Sequence, residues 1–259
     1  MSDALRAEWT KLRTLSGTWW LLVGTVAVTV VANAGIVAAT HLSPVANGPR
    51  QDPTKLALVG IDLGQAVIAT LAVLAVTEEY GNGMMRVTLA AMPRRALMLG
   101  AKAVNITGLT LITGIVAVAG CLITGRLLLP GAGLDPAHGY ALVSLANGPT
   151  LRAAFGSVLY LGLIALISLG IGTAFRDTAV SIGIVLALLY LPPLLAHLIP
   201  DPWRQHIEQL TPMSAGLAIQ VTRNIHALPI SPWAGLGVLA AWAAAMLLVG
   251  LTVLTARDA

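Results

Sequence analysis

Charge is scarce in this sequence. Only 10% of its 259 residues are Asp, Glu, Lys or Arg, while 57% are hydrophobic and the mean hydropathy is +0.84. A soluble domain carries roughly 25% charged residues to solvate its surface. This chain therefore has too few water-facing groups to cover a globule, and its outer surface must meet lipid. Cysteine is nearly missing as well. Cys121 alone excludes an intrachain disulfide framework and a cysteine-clustered metal site, and in its apolar run it reads as a small buried hydrophobe.

The signatures of chemistry are also lacking. A P-loop needs a Gly-rich turn followed by Gly-Lys-Ser/Thr, whereas Gly131 and Gly133 are followed by Leu134 and Asp135, with no lysine to hold a phosphate. There is no His-Glu-x-x-His and no Gly-x-Ser-x-Gly, and His41, His138, His197, His206 and His226 share no metal-ligand spacing. The expectation is a chain that is not an enzyme and binds no cofactor or metal of its own. The formal net charge of +4 is mild for a nucleic-acid binder. Its basic residues sit in short segments between apolar runs, where membrane topology places them.

What is present is a set of apolar runs. A helix needs about 20 mostly apolar residues to cross a hydrocarbon core of roughly 30 Å. Six stretches qualify: Thr18 to Thr40, Leu56 to Thr77, Lys102 to Gly125, Arg152 to Ala174, Thr178 to Ile199, and Trp233 to Thr255. Trp19, Trp20, Tyr80 and Trp233 supply interfacial anchors. The first run is too long for the h-region of a signal peptide and is followed by no clear small-residue cleavage site, so it reads as a retained span. The sequence thus predicts an all-α polytopic protein, one transmembrane domain over residues 1–259. With the N-terminus inside, Arg6, Lys11, Arg13, Arg86, Arg94, Arg95, Lys102, Arg176 and Arg257 fall on the inner side. Arg50, Lys55, Arg126, Arg152, Arg204 and Arg223 fall outside, which favours a cell-membrane protein with both termini cytoplasmic.

Three further segments are not simple spans. Residues 3–15 read as a surface helix, with Leu5, Trp9, Leu12 and Leu15 on one side and Arg6, Glu8, Lys11 and Arg13 on the others. Between spans two and three, Gly81, Asn82 and Gly83 break the helix, Met84 to Ala91 can form a short one, and Pro93 stops it before Arg94 and Arg95. Such a segment suits either a solvated turn or a knob inserted into another protein. The fifth span carries Pro192 and Pro193, which predict a kink or break. After it, residues 200–232 predict one or two short outer-leaflet helices, with Leu217, Val221 and Ile225 at helical spacing.

Ionisable and amide groups inside spans are candidates for function. Asp62 lies near the start of the second span with Gln65 at i+3, and together with Asn33 in the first span forms a candidate pathway set. Asn105 and His197 are weaker, since polar groups often only tie helices together. Gly60 and Gly64 form a small-xxx-small pair that permits close helix approach.

At the loop between spans two and three the chain resembles the type-2 ATP-binding-cassette exporter permeases of bacteria, and within them the small six-span permeases common in actinobacteria. The residues that carry it are Glu79-Tyr80-Gly81-Asn82-Gly83, Arg86, Thr88-Leu89-Ala90-Ala91 and Pro93-Arg94-Arg95 ahead of Lys102. The opening Glu8-Trp9-Thr10-Lys11-Leu12-Arg13-Thr14 and Thr18-Trp19-Trp20 also match. The resemblance implies an N-terminal elbow helix containing Trp9, Lys11 and Arg13, and a coupling helix over residues 84–95. It implies docking on a separate ATPase subunit through Glu78, Glu79, Tyr80, Arg86, Thr88, Leu89, Pro93, Arg94 and Arg95. ATP and Mg would be held by that partner, with a second permease copy or a homologue completing the transporter and membrane lipid surrounding it. Met84 departs from the threonine that many relatives carry. Two other classes stay open from the sequence: a secondary transporter driven by an ion gradient, and a membrane anchor or sensor.

Overall fold

In hydrocarbon every backbone N–H and C=O must be satisfied within its own segment, so an apolar run of spanning length adopts a helix. The computed structural model describes residues 5–6, 8–10, 16–40, 51–81, 83–84, 95–138, 140–196, 198–201 and 203–257. Of these, 85% are helical and none lies in a strand. The helices are α1 (Ser16–Thr40), α2 (Pro53–Leu56), α3 (Ile61–Gly81), α4 (Arg95–Leu128), α5 (Gly148–Phe175), α6 (Thr178–Ala196), α7 (Trp203–Leu210), α8 (Pro212–Leu217) and α9 (Pro232–Arg257). Among the described residues six are long and apolar enough to cross a membrane: α1, α3, α4, α5, α6 and α9. The chain is an all-α polytopic membrane protein.

α5 is the axis of the bundle. Of its apolar window 72% is buried, against 28% in α1 and 22% in both α6 and α9, so those three present most of their surface outward. α5 packs on α3, α4, α6 and α9, while α1 rests on α3 and α4. At the α5–α9 crossing a β-carbon on Gly170 would lie 2.5 Å from the Met246 carbonyl carbon, so glycine is required for the approach.

Three boundaries differ from expectation. The second span begins at Ile61, not Leu56, because residues 57–60 wind as turns under α1. The Gly60–Gly64 pair is the reason. A β-carbon on Gly60 would lie 2.0 Å from the Thr29 carbonyl oxygen, and one on Gly64 2.0 Å from Thr29 Oγ1. The third span starts at Arg95 rather than Lys102, since Lys102 finds partners inside the bundle. The fifth stays helical through Pro192 and Pro193 to Ala196, and does not break at the pair. Proline's fixed φ of about −65° suits a helix, and the pair falls in its last five residues. The chain then closes with two short bonds, Leu198 N to Leu195 O at 2.9 Å and Ile199 N to Ala196 O at 3.3 Å.

The segment after α6 forms α7 and α8, then 3-10 turns at Ala218–Gln220 and Ile225–Ala227. Leu217, Val221 and Ile225 do not share one helix as their spacing suggests, because Val221 is extended (φ −73°, ψ 123°). This segment is wedged into the bundle. A β-carbon on Gly216 would meet the Tyr160 ring at 2.6 Å, and one on Gly235 the Ala215 carbonyl oxygen at 2.0 Å.

Asp52 clasps the same segment to the start of α2. Its Oδ1 accepts from Thr54 N at 3.1 Å and Lys55 N at 3.3 Å, capping α2, and from Thr222 Oγ1 at 2.7 Å. Its Oδ2 accepts from Arg223 N at 2.9 Å and from Thr222 N. Losing a cap costs roughly 1 kcal/mol and hydrogen bonds to a charged group about 1.5 to 3 kcal/mol. Asp52→Ala should therefore destabilise the protein by about 2 to 3 kcal/mol. Limited proteolysis should then cut within residues 203–231 faster than in the wild type.

Candidate functional site

α3 buries one stripe along its length: Ile61, Gln65, Ile68, Ala72, Val76 and, last in the same phase, Glu79. α4 turns Lys102 toward it, and both side chains are nearly inaccessible. Lys102 Nζ donates to Glu79 Oε1 at 2.8 Å, Glu8 Oε2 at 2.9 Å and the Ala75 carbonyl oxygen at 3.0 Å. An ammonium has three donors, and all three are used. A buried charge is tolerated when it is paired and hydrogen-bonded. One turn further along α4, Asn105 Nδ2 donates to the Leu5 carbonyl oxygen at 3.0 Å. The N-terminal segment is thus fastened to α4 at two points.

This arrangement reverses part of the expected amphipathic pattern. Glu8, expected on the polar side, is 1% exposed, whereas Trp9 is 43% exposed. The Lys102 ammonium is the reason: it offers a buried carboxylate a partner that an indole lacks.

Two other cations at this end of the bundle converge on the end of α9. Arg95 Nη1 donates to the carbonyl oxygens of Leu254 at 3.1 Å and Thr255 at 2.8 Å, and Arg176 Nη2 to that of Val253 at 3.4 Å. Cations at a helix C-terminus satisfy carbonyls that have no intrahelical donor. The Arg176 guanidinium also lies 5.0 Å from the centre of the Tyr80 ring, a cation–π contact. Glu78 is exposed beside this cluster. Arg86, Thr88, Leu89, Pro93 and Arg94 of the expected coupling helix, with Lys11 and Arg13 of the elbow, lie outside the described residues.

The candidate pathway residues have distinct surroundings. Asn33 is fully buried; its Nδ2 donates to Cys121 O at 3.2 Å and Thr124 Oγ1 at 2.9 Å, and its Oδ1 accepts from Gly60 N at 3.3 Å. It ties α1 to α4 and to the start of α3. Gln65 Nε2 donates to Asp62 O at 3.1 Å and to Met213 Sδ at 3.4 Å, while its Oε1 accepts from the Tyr160 hydroxyl. Tyr190 donates to the Asp62 carbonyl oxygen. The Asp62 carboxylate is different: its Oδ1 is buried and accepts no hydrogen bond among the described residues. Asp62 lines a cavity of about 400 Å³ bounded by α2, α3, the end of α6 and the 203–231 segment.

Lys102 and Glu8 as a buried pair, Arg176, and Lys55 and Glu208 at the cavity were not singled out from sequence. For Glu79 the signal was there, because it continues the buried phase of α3. Lys102 gave no such signal, because in the sequence it stands at the edge of the third apolar run. Among the described residues no group of three or more His, Cys, Asp or Glu side chains is placed to hold a metal ion.

The chain matches no protein-family model, and no curated protein matches it either. Fold and side chains together define the class: a multi-pass bundle of six apolar helices, cross-tied by ions at one end and hollowed beside a carboxylate at the other.

Proposed function

We propose that this chain is the permease subunit of an ATP-binding-cassette exporter of the type-2 kind, working as two copies, or one copy and a homologue, with two separate ATPase chains. The cargo is hydrophobic or amphipathic, and ATP with its Mg is held by the ATPase partner. The membrane in question is the cell membrane, with both chain ends on the cytoplasmic side.

The observation that carries the reading is how the connection between α3 and α4 is tethered. On one side of it Glu79 holds Lys102 and, through it, Glu8 of the N-terminal segment. On the other side Arg95 holds the last turn of α9. A partner pressing on residues 84–94 therefore pulls on the N-terminal segment, α3, α4 and α9 together. Rigid elements joined by ion pairs and hydrogen bonds are the means by which a push at one end reaches the other. That is the property a coupling segment needs.

Purification of the tagged full chain from its native membranes tests the reading. The expected result is a co-purifying ATPase chain with a Gly-x-x-x-x-Gly-Lys-Ser/Thr loop, in equal copy number to the permease. A pure six-helix protein that transports without ATP would overturn it.

A further inference from the structure

The cavity beside Asp62 has the composition of a binding site. Its volume of about 400 Å³ lies in the range of small-molecule pockets, which run from roughly 300 to 1,000 Å³. Most of the wall is apolar, from Val59, Pro193, Met213, Leu217 and Ile230. Three charges break that wall: Lys55, Asp62 and Glu208, two carboxylates against one ammonium. Lys55 is exposed, and Glu208 faces Arg204 at 3.8 Å. Asp62 forms no ion pair among the described residues, and its buried Oδ1 accepts no hydrogen bond. The Asp62 side chain is nonetheless partly accessible where it lines the cavity, and an ionised carboxylate in an apolar wall is costly unless a cation pairs with it. An apolar wall with one carboxylate still wanting a donor fits a molecule with an apolar body and a single cationic donor head.

We propose that this cavity binds an amphiphile by its ammonium group, with Asp62 as the counter-ion and the apolar wall around the body. The proposal deepens the transport reading by giving the class of cargo. It rests on that reading only for calling the ligand a cargo, because binding is measured on the isolated chain without any ATPase. Either can therefore fail alone.

Two fluorescent probes test it on the purified full chain in neutral detergent. Dansylcadaverine carries a primary ammonium, and N-pentyl dansylamide is the same molecule with a plain alkyl end. The wild type should bind the cation about tenfold or more tightly than the neutral probe, which is about 1.4 kcal/mol. Asp62→Asn removes the charge and no described hydrogen bond to the side chain, so it should fold normally and bind both probes alike. Leu228→Trp fills the cavity from its loop side and should weaken both. Equal binding of the two probes by the wild type would overturn the proposal, as would an undiminished preference in Asp62→Asn. If Asp62→Asn does not fold, Leu228→Trp decides alone, since full binding of the cation by that variant places the site elsewhere. The ammonium could come from a free amphiphile or from a phosphatidylethanolamine headgroup. Repeating the titration in phosphatidylcholine nanodiscs with and without phosphatidylethanolamine separates these sources. Competition assigns the site to the headgroup, and its absence assigns it to the free amphiphile.

Discussion

Replacing Lys102 with methionine should cost about 3 to 5 kcal/mol, the usual consequence of removing one partner from a buried ion pair. The ammonium sits about 10 Å along α4 from Arg95 at a rise of 1.5 Å per residue. It is 2% exposed, and the Glu8 and Glu79 side chains facing it are 1% and 9% exposed. Methionine keeps the unbranched stem, one atom shorter, but leaves both carboxylates buried without the ammonium. Arginine should not rescue, because its planar fork does not reproduce a compact ammonium donating to three converging oxygens. The triple variant Lys102→Met, Glu8→Gln, Glu79→Gln should recover most of the loss, since the cost lies in the stranded charges rather than in the missing attraction. Thermal unfolding in detergent reads all three variants. A Lys102→Met protein that melts with the wild type would show that the carboxylates have water or another cation to turn to.

Gly170→Leu should be nearly as damaging, for a steric reason. A β-carbon there would lie 2.5 Å from both the carbonyl carbon and oxygen of Met246 and 2.8 Å from Leu247 N. These are backbone atoms of α9 and have no rotamer to escape into. The contact is reciprocal, for a β-carbon on Gly250 would lie 2.9 Å from the Gly170 carbonyl oxygen. Membrane helices associate through close packing of small residues because lipid supplies no hydrophobic drive between them. Overpacking a core costs about 1 to 3 kcal/mol where side chains can shift, so a backbone clash should reach or exceed the top of that range. The matched control is Gly183→Leu on α6, where nothing lies within 4 Å. The yield of monodisperse protein should fall sharply for the first and stay near wild type for the second. Equal yields would mean that α9 is held to α5 elsewhere.

Both predictions rest on features that were unequally legible in the sequence. Spans are written locally, because lipid demands about 20 apolar residues in a row, and each of the six apolar runs falls on one of the six long helices. Their ends are set by partners far along the chain, and there the reading slipped. Lys102 and Arg95 look like loop residues in a hydropathy window, yet Glu8, 94 positions away from Lys102, draws the lysine inside, and the end of α9 takes the arginine. The Gly60–Gly64 pair announced a close contact without saying with what, and Thr29 and Asn33 of α1 supply the answer. Pro192 and Pro193 suggested a kink or break, yet the helix runs through the pair to Ala196, although neither proline has an N–H to donate to the carbonyl four residues back. Asp62 and Gln65 were grouped by spacing. The fold separates their uses, since Gln65 is bonded to Tyr160 and Met213 while the Asp62 carboxylate is left beside a cavity.

An external engine attached at Met84 to Arg95 can be tested by charge reversal at Arg94. Tagged wild-type chain and its Arg94→Glu variant are purified in parallel from native membranes, and the ATP hydrolysis that co-elutes with each is measured. Like charges set against each other in an interface cost several kcal/mol, and each 1.4 kcal/mol is a factor of ten. The co-eluting activity should therefore be present with the wild type and fall by about tenfold or more with the variant, while the wild-type and variant chains run at the same elution volume. Activity that co-elutes equally with both, or with neither, would contradict an engine docked at this segment.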